Sequence, residues 1–125
     1  MTESDAGVTS VAGVAAIADA VGVDALEDWG PVERPIEGES DTSGLVLHRD
    51  PDGRFECGVW VCTPGRWECR IERGEFCQFL AGRATYVHDS GDLLEVEPGT
   101  AAYFPAGWTG ECTVQETVRK AYVIE

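Results

Sequence analysis

The chain of 125 residues carries 9 Lys and Arg against 23 Asp and Glu, a formal charge of −14, and is 43% hydrophobic. At this length one core is expected, because chains split into several domains only beyond roughly 250 residues, and the apolar content argues against general disorder. The acidity excludes a nucleic-acid-binding surface, which needs basic residues to displace counterions, and disfavours docking on an anionic membrane; no apolar run approaches the ~18 residues of a membrane span.

Residues 1–44 read as an acidic leader. Of the acids, ten lie within residues 1–45, accompanied there by one base, Arg34. The Ala/Val-rich stretch from Val8 to Leu26 predicts a short helix capped by Thr9 or Ser10, although Gly13 and Gly22 weaken it. Asp19 interrupts this stretch and no basic run precedes it, so it is not read as a signal peptide. PVERPIEGESDTS (31–43) has loop composition and is expected to wrap over the domain or over a partner subunit.

From Leu45 to the end the pattern changes to short strands separated by turns. The turn signals are PDG (51–53), TPG (63–65), ERG (72–74), AG (81–82), DSGD (89–92), EPG (97–99) and PAG (105–107). Between them lie apolar, β-branched and aromatic runs such as RFECGVWVC, RWECRI and RKAYVI. Such spacing predicts an all-β sandwich or barrel over residues 45–125, with no room for crossover helices. DSGD between YVH and LLEV is a hairpin signal.

The five cysteines, Cys57, Cys62, Cys69, Cys77 and Cys112, are odd in number, follow no secretory signal and form no CxxC pair. They read as reduced thiols of a cytoplasmic protein. There is a single lysine, Lys120, against eight arginines, and the acid excess reads mostly as a solvated surface.

Alternation gives direction to the side chains. Trp67, Cys69 and Ile71 share one face of their strand, and Arg66, Glu68 and Arg70 share the other. In the next strand Glu75 has the parity of Cys77 and Phe79, so it points inward if they do. An interior carboxylate is costly unless paired, hydrogen-bonded or protonated. Glu75 is therefore a ligand-binding or catalytic group, half of a structural pair, or a solvated residue at the strand entrance. The last strand offers a partner: Lys120 shares a face with Tyr122 and Ile124. His48 and His88 both border turns and read as exposed, too far apart in sequence to suggest a metal site. Neither can be placed beside a cysteine to activate it as a nucleophile. The four tryptophans, Trp29, Trp60, Trp67 and Trp108, read as core or rim, with Trp108 placed at the barrel mouth by the turn before it.

Two segments carry a family pattern. EFCQFLAG (75–82) resembles the end of the first cupin motif, E-x6-G, and GTAAYFPAG (99–107) resembles the start of the second, G-x5-P-x-G. Together with GVWVCTPG (58–65) and ETVRKAYVI (116–124), they make residues 44–125 similar to the small single-domain cupins related to ureidoglycine aminohydrolase and to the ethanolamine-utilisation cupin. The resemblance implies a conical barrel of two antiparallel sheets, jelly-roll-like and dimeric, with a small-molecule pocket at its open end. The metal histidines of the family are missing. Counting back from Glu75 reaches Cys69 and Ile71, or Glu68 and Arg70; the second-motif histidine position is Gly110, and the trailing position is Val114. Of four expected ligands only Glu75 remains, so no metal centre and no cofactor are expected. Relatives also carry a V-R-K-x-Y ending, which favours an inward Lys120.

The expected ligand-binding residues are Trp60, Cys69, Glu75, Cys77, Tyr103, Lys120 and Tyr122, with Glu75 and Lys120 the catalytic candidates. The leading expectation is a pocket for a small polar or anionic metabolite. Two alternatives stand beside it: a metal-independent hydrolase or isomerase acting on a small nitrogenous metabolite, and a structural subunit with a vestigial pocket.

Overall fold

The computed structural model describes residues 7–125, which form eleven strands and no helix. β1 (Thr9–Val11) and β2 (Val14–Ala16) make a small hairpin of their own. A helix was expected here, over Val8 to Leu26, and the turn explains the difference. Ala12 and Gly13 have φ of 51° and 82°, the doubly positive pattern of a type I′ turn, whose twist suits paired strands. Further along, Gly22 donates its N–H to the Asp19 carboxylate at 3.0 Å and closes a turn instead of continuing a helix. The first six residues of the expected leader lie outside the described residues.

The remaining strands join one sheet. They are β3 (Glu27–Pro31), β4 (Pro35–Glu37), β5 (Asp41–Arg49), β6 (Glu56–Cys62), β7 (Gly65–Arg70), β8 (Glu75–His88), β9 (Leu93–Val96), β10 (Ala101–Phe104) and β11 (Thr109–Ile124). Every pairing is antiparallel. One path runs β10-β8-β11-β6-β5-β3, while β4-β7 attaches to the first part of β11 and β9 to the second part of β8. Long β8 and β11 thus serve both halves of a curled half-barrel. The segment 31–43, expected as a loop, contributes β4 and the first residues of β5 to this sheet.

The curl has a local cause. The AG signal at 81–82 marks a bend inside β8 and not a turn. Gly82 has φ of 80°, and a Cβ there would stand 2.0 Å from the Thr117 carbonyl oxygen. Opposite it, β11 shifts register between Val114 and Glu116, between Glu116 and Arg119, and between Arg119 and Lys120. Bulges of this kind bend a strand and raise its twist, and here they carry both strands from one half of the barrel to the other.

The core lies between these halves. Phe79 and Val118 are buried at its centre, together with the thiols of Cys62, Cys69, Cys77 and Cys112, which pack as small hydrophobes. On the outer face of β5 and β6, Leu45 and Val59 are also buried. A Cβ on Gly7 would meet both Val23 and Leu45, so the N-terminal segment covers this face, and Arg119 ties it down with a hydrogen bond to the Ala20 carbonyl at 3.2 Å.

Candidate functional site

A cavity opens where β8 begins and β11 ends. Lys120 lies directly opposite Phe79 on β8 and Trp60 on β6, and Tyr122 opposite Cys77 and Gly58. Glu75 stands opposite Ile124 on β11 and Phe104 on β10. Alternation then keeps Glu75, Lys120 and Tyr122 on the concave face. Trp29 arrives from β3 across Gly44, where a Cβ would sit 2.5 Å from its indole and 2.2 Å from the Val59 carbonyl oxygen. Gly44 is the residue that lets this ring lie flat.

The cavity measures about 260 Å³, and rings of Trp29, Trp60, Trp67, Tyr86 and Phe104 form much of its wall. Its polar wall is made by Glu56, Cys69, Arg70, Glu75, Lys120 and Tyr122. An outer vestibule of about 490 Å³ shares Trp29, Trp60, Trp67 and Glu75 with it.

At the centre is an ion pair. Lys120 Nζ lies 2.7 Å from Glu75 Oε2, and the two side chains are 9% and 13% exposed. The ammonium also sits 4.4 Å from the centroid of the Trp60 ring, near enough for attraction to the ring face. Cys77 donates its thiol proton to the same Glu75 oxygen at 3.1 Å. Burial by itself would drive the lysine towards its neutral form, but the charge and hydrogen bond of Glu75 outweigh it and hold Lys120 above its ordinary value. Lys120 is therefore an ammonium at neutral pH, positioned as a donor and not as a base.

A second polar group closes the side wall. Tyr122 donates its hydroxyl to Glu56 Oε2 at 2.6 Å, and Arg49 donates Nε–H to Glu56 Oε1 at 2.9 Å. Burial pushes the Glu56 carboxyl up, yet these two hydrogen bonds prevail and keep it below its ordinary value. Burial and Glu56 together push the Tyr122 phenol up. Both Glu56 oxygens are thus engaged in an ionised, structural arrangement. Cys69 lines the cavity, but burial pushes its thiol up to about 11, so it is not the thiolate a nucleophile requires. The buried indole N–H of Trp67 faces the core thiol of Cys62 without a full hydrogen bond.

Of the residues expected at the site, Trp60, Cys69, Glu75, Lys120 and Tyr122 line the cavity. Cys77 lies fully buried behind Glu75. Tyr103 is a correction. It is 64% exposed on the outer face, because Phe104 is the residue opposite Glu75 and alternation turns its neighbour outward. Trp108 does not line the cavity; it packs edge-on against Tyr86 and Phe104 and lies 5.4 Å from the His88 ring centroid. His88 is consequently half-buried, whereas His48 is exposed and paired with Asp50 at 2.9 Å. The sequence reading missed Trp29, Glu56 and the vestibule residue Arg73. Glu56 was recoverable, since it shares parity with Trp60 along β6.

The residues do not fit the family's metal. Among the described residues no three His, Cys, Asp or Glu side chains converge as a ligand set. At Gly110, the position of the second-motif histidine, a Cβ would stand 2.2 Å from the Val87 carbonyl oxygen and 2.8 Å from the Trp108 ring. The backbone there has no space for a ligating side chain.

Comparison with known proteins agrees with this architecture. The family model of the EutQ-like cupin domain matches residues 49–122. No curated protein matches the sequence. Among solved structures, a DUF861-family protein of unknown function from Pseudomonas syringae aligns with a TM-score of 0.75 at 22% identity, over 82% of this chain and 45% of that one. The Clostridium difficile EutQ protein aligns with a TM-score of 0.59 at 17% identity, over 68% of this chain and 62% of its own. The polyketide cyclase RemF from Streptomyces resistomycificus aligns with a TM-score of 0.59 at 24% identity, covering 80% and 73%. This chain thus spans about half the length of the first of these and under two thirds of the second. At these identities the likeness is one of fold. Among the described residues no helix is long and apolar enough to cross a membrane.

Proposed function

The chain belongs to the EutQ-like cupin family, and from that premise we propose that its barrel cavity binds a small polar or anionic metabolite without a histidine-type metal centre. The single observation that carries the reading is the Lys120–Glu75 pair at 2.7 Å on the wall of an otherwise largely aromatic cavity. Sites for small molecules combine an apolar lining with a few placed polar groups. Here an ammonium donor and a carboxylate acceptor stand side by side, which suits a group carrying both an acceptor and a donor, such as an amide. The aromatic rings supply the apolar contact.

A second reading is catalysis at the same pair. Glu75 and Lys120 both line the cavity, so a carboxylate for proton transfer lies next to an ammonium that polarises a carbonyl. Binding is the preferred reading because the neighbouring groups are engaged or neutral: Glu56 by Tyr122 and Arg49, Cys69 by burial.

Mass spectrometry of small molecules released on denaturing the purified protein tests the proposal. A stoichiometric compound from the wild type that is absent from a folded Lys120→Met variant is the expected result. A compound retained equally by both proteins contradicts it. Incubating the released compound with fresh protein separates the two readings, since turnover belongs to the catalytic one alone.

A further inference from the structure

The inner cavity and the vestibule meet at one indole. Most wall residues that the two chambers share come from the central strands β6, β7, β8 and β11. Their groups are fixed by each other. Trp60 lies under the Lys120 ammonium, Trp67 packs edge-on against Trp60 with ring centroids 6.3 Å apart, and Glu75 is paired with Lys120. Trp29 is the exception. It comes from β3, an edge strand that pairs only with β5, and it is half-buried. Trp29 and the Gly44 beneath it both precede residues 49–122, which the family model matches. Membership of the family therefore assigns neither of them a role.

Two strands shape their backbones to seat this ring. The pairing of β3 with β5 steps from Asp28–Ser43 to Gly30–Thr42, so Trp29 is the extra residue of a bulge. Bulges re-aim a side chain. Gly30 takes a φ of 81°, which glycine adopts without steric cost. Its N–H donates to the Asp28 carboxylate at 2.9 Å, and its carbonyl accepts from the Thr42 hydroxyl at 2.7 Å. The Trp29 indole N–H donates to Glu27 Oε1 at 3.2 Å. A glycine inside a strand marks a close approach; at Gly44 the approaching group is the Trp29 ring, 2.5 Å from where a Cβ would stand. Beyond the indole, Pro31, Val32, Glu33 and Arg34 of the same segment line the vestibule alone. On its other side, Tyr86 and Phe104 line the inner cavity alone.

Resting on the binding proposal above, we infer that Trp29 is the specificity-determining residue of the cavity: its indole caps the inner chamber and sets the upper size of the ligand. With the ring in place the ligand is confined to the inner space of about 260 Å³. Without the ring that space joins the vestibule of about 490 Å³. A molecule that overfills a packed chamber has to displace its walls, which costs binding energy as overpacking costs stability. The Lys120–Glu75 pair is not touched by the change, so Trp29 governs size and leaves polarity to that pair.

Matched probes test this on the full chain. Naphthalene sulfonate has two fused rings, and anilinonaphthalene sulfonate adds a third ring to the same anion. The side-chain NMR signal of Lys120, the single lysine, reports occupancy of the inner chamber. The wild type is expected to take the smaller probe at least about tenfold more tightly. Trp29→Ala is expected to level the two probes, and Trp29→Phe to keep part of the preference. A wild type closed to both probes beside a Trp29→Ala variant open to both equally supports the cap. A wild type that takes the larger probe as well as the smaller, or a preference unchanged in Trp29→Ala, overturns the Trp29 assignment and leaves the binding reading standing. If Trp29→Ala does not fold, Trp29→Phe carries the test, and a preference it leaves undiminished overturns the assignment. The absence of a saturable shift with either probe in any of these proteins overturns both the assignment and the binding reading.

Discussion

The inner cavity and the vestibule share four aromatic and acidic wall residues but hold their charges in opposite ways. Inside, the ammonium of Lys120 is closed against Glu75 and rests on Trp60. Outside, the guanidinium of Arg73 buries its Nη2 without a hydrogen-bond partner. The difference follows from the cost of burial. A charge on the inner wall is tolerated only when paired, whereas Arg73, half-buried in the vestibule wall, stands without an ion pair among the described residues. The inner charges therefore satisfy each other, and the outer guanidinium is satisfied only in part.

The comparison breaks most visibly when one partner of the inner pair is removed. Lys120→Met or Glu75→Gln alone is expected to cost about 3–5 kcal/mol of unfolding free energy, the usual penalty for stranding a buried charge. The double variant is expected to recover most of that loss. Chemical denaturation of the four proteins measures the coupling, and additive effects would show that the two groups do not interact.

A next, smaller effect concerns pH. Because the folded-state value of Lys120 lies above its unfolded one, the stability it contributes is present in full below the ordinary lysine value near 10.5. It is lost only as the pH rises through the higher folded value. The stability gap between wild type and Lys120→Met should stay constant from neutral to mildly alkaline pH and narrow above that. A gap that narrows below about pH 9, well under the ordinary lysine value, would speak against the pair.

The thiols sharpen the same contrast between interior and rim. Burial pushes Cys62 and Cys69 up to about 11 and Cys77 and Cys112 up to about 12. Cys57 alone is only half-buried. Titration of the native protein with a thiol reagent near neutral pH should give one fast equivalent, with the other four appearing only in denaturant. The smallest expected effect is at Tyr103: Tyr103→Ser should change the unfolding free energy by no more than about 0.5 kcal/mol in chemical denaturation, because its side chain is exposed on the convex face.

Much of this was legible from the residues. Turn chemistry and alternation located the barrel strands after Leu45, parity grouped Glu75 with Cys77 and Phe79, and the family resemblance favoured an inward Lys120. What remained hidden depended on long-range register or on segments without period. Tyr103 and Phe104 cannot be told apart within AAYF; only the pairing of Phe104 with Glu75 turns one in and the other out. Gly82 reads the same in sequence whether it closes a hairpin or bends a continuous strand, and the decision rests with Thr117 on β11. Trp29 comes to the site from a strand that pairs only with β5, and no local signal announces it. Arg73 occupies a turn, where alternation assigns no direction. At Ala12 and Gly13 the composition favoured a helix, but the backbone adopted a hairpin turn.

The solitary lysine provides the most direct test of the central claim. With lysine labelled in the side chain with ¹⁵N and ¹³C, the protein gives one Lys signal, and that signal reports both the Glu75 pair and the occupancy of the cavity. The account predicts an ammonium that persists above the ordinary value of 10.5 in the wild type and a lower titration in Glu75→Gln. An amine that titrates at the ordinary value in the wild type, or one unchanged by Glu75→Gln, would contradict it.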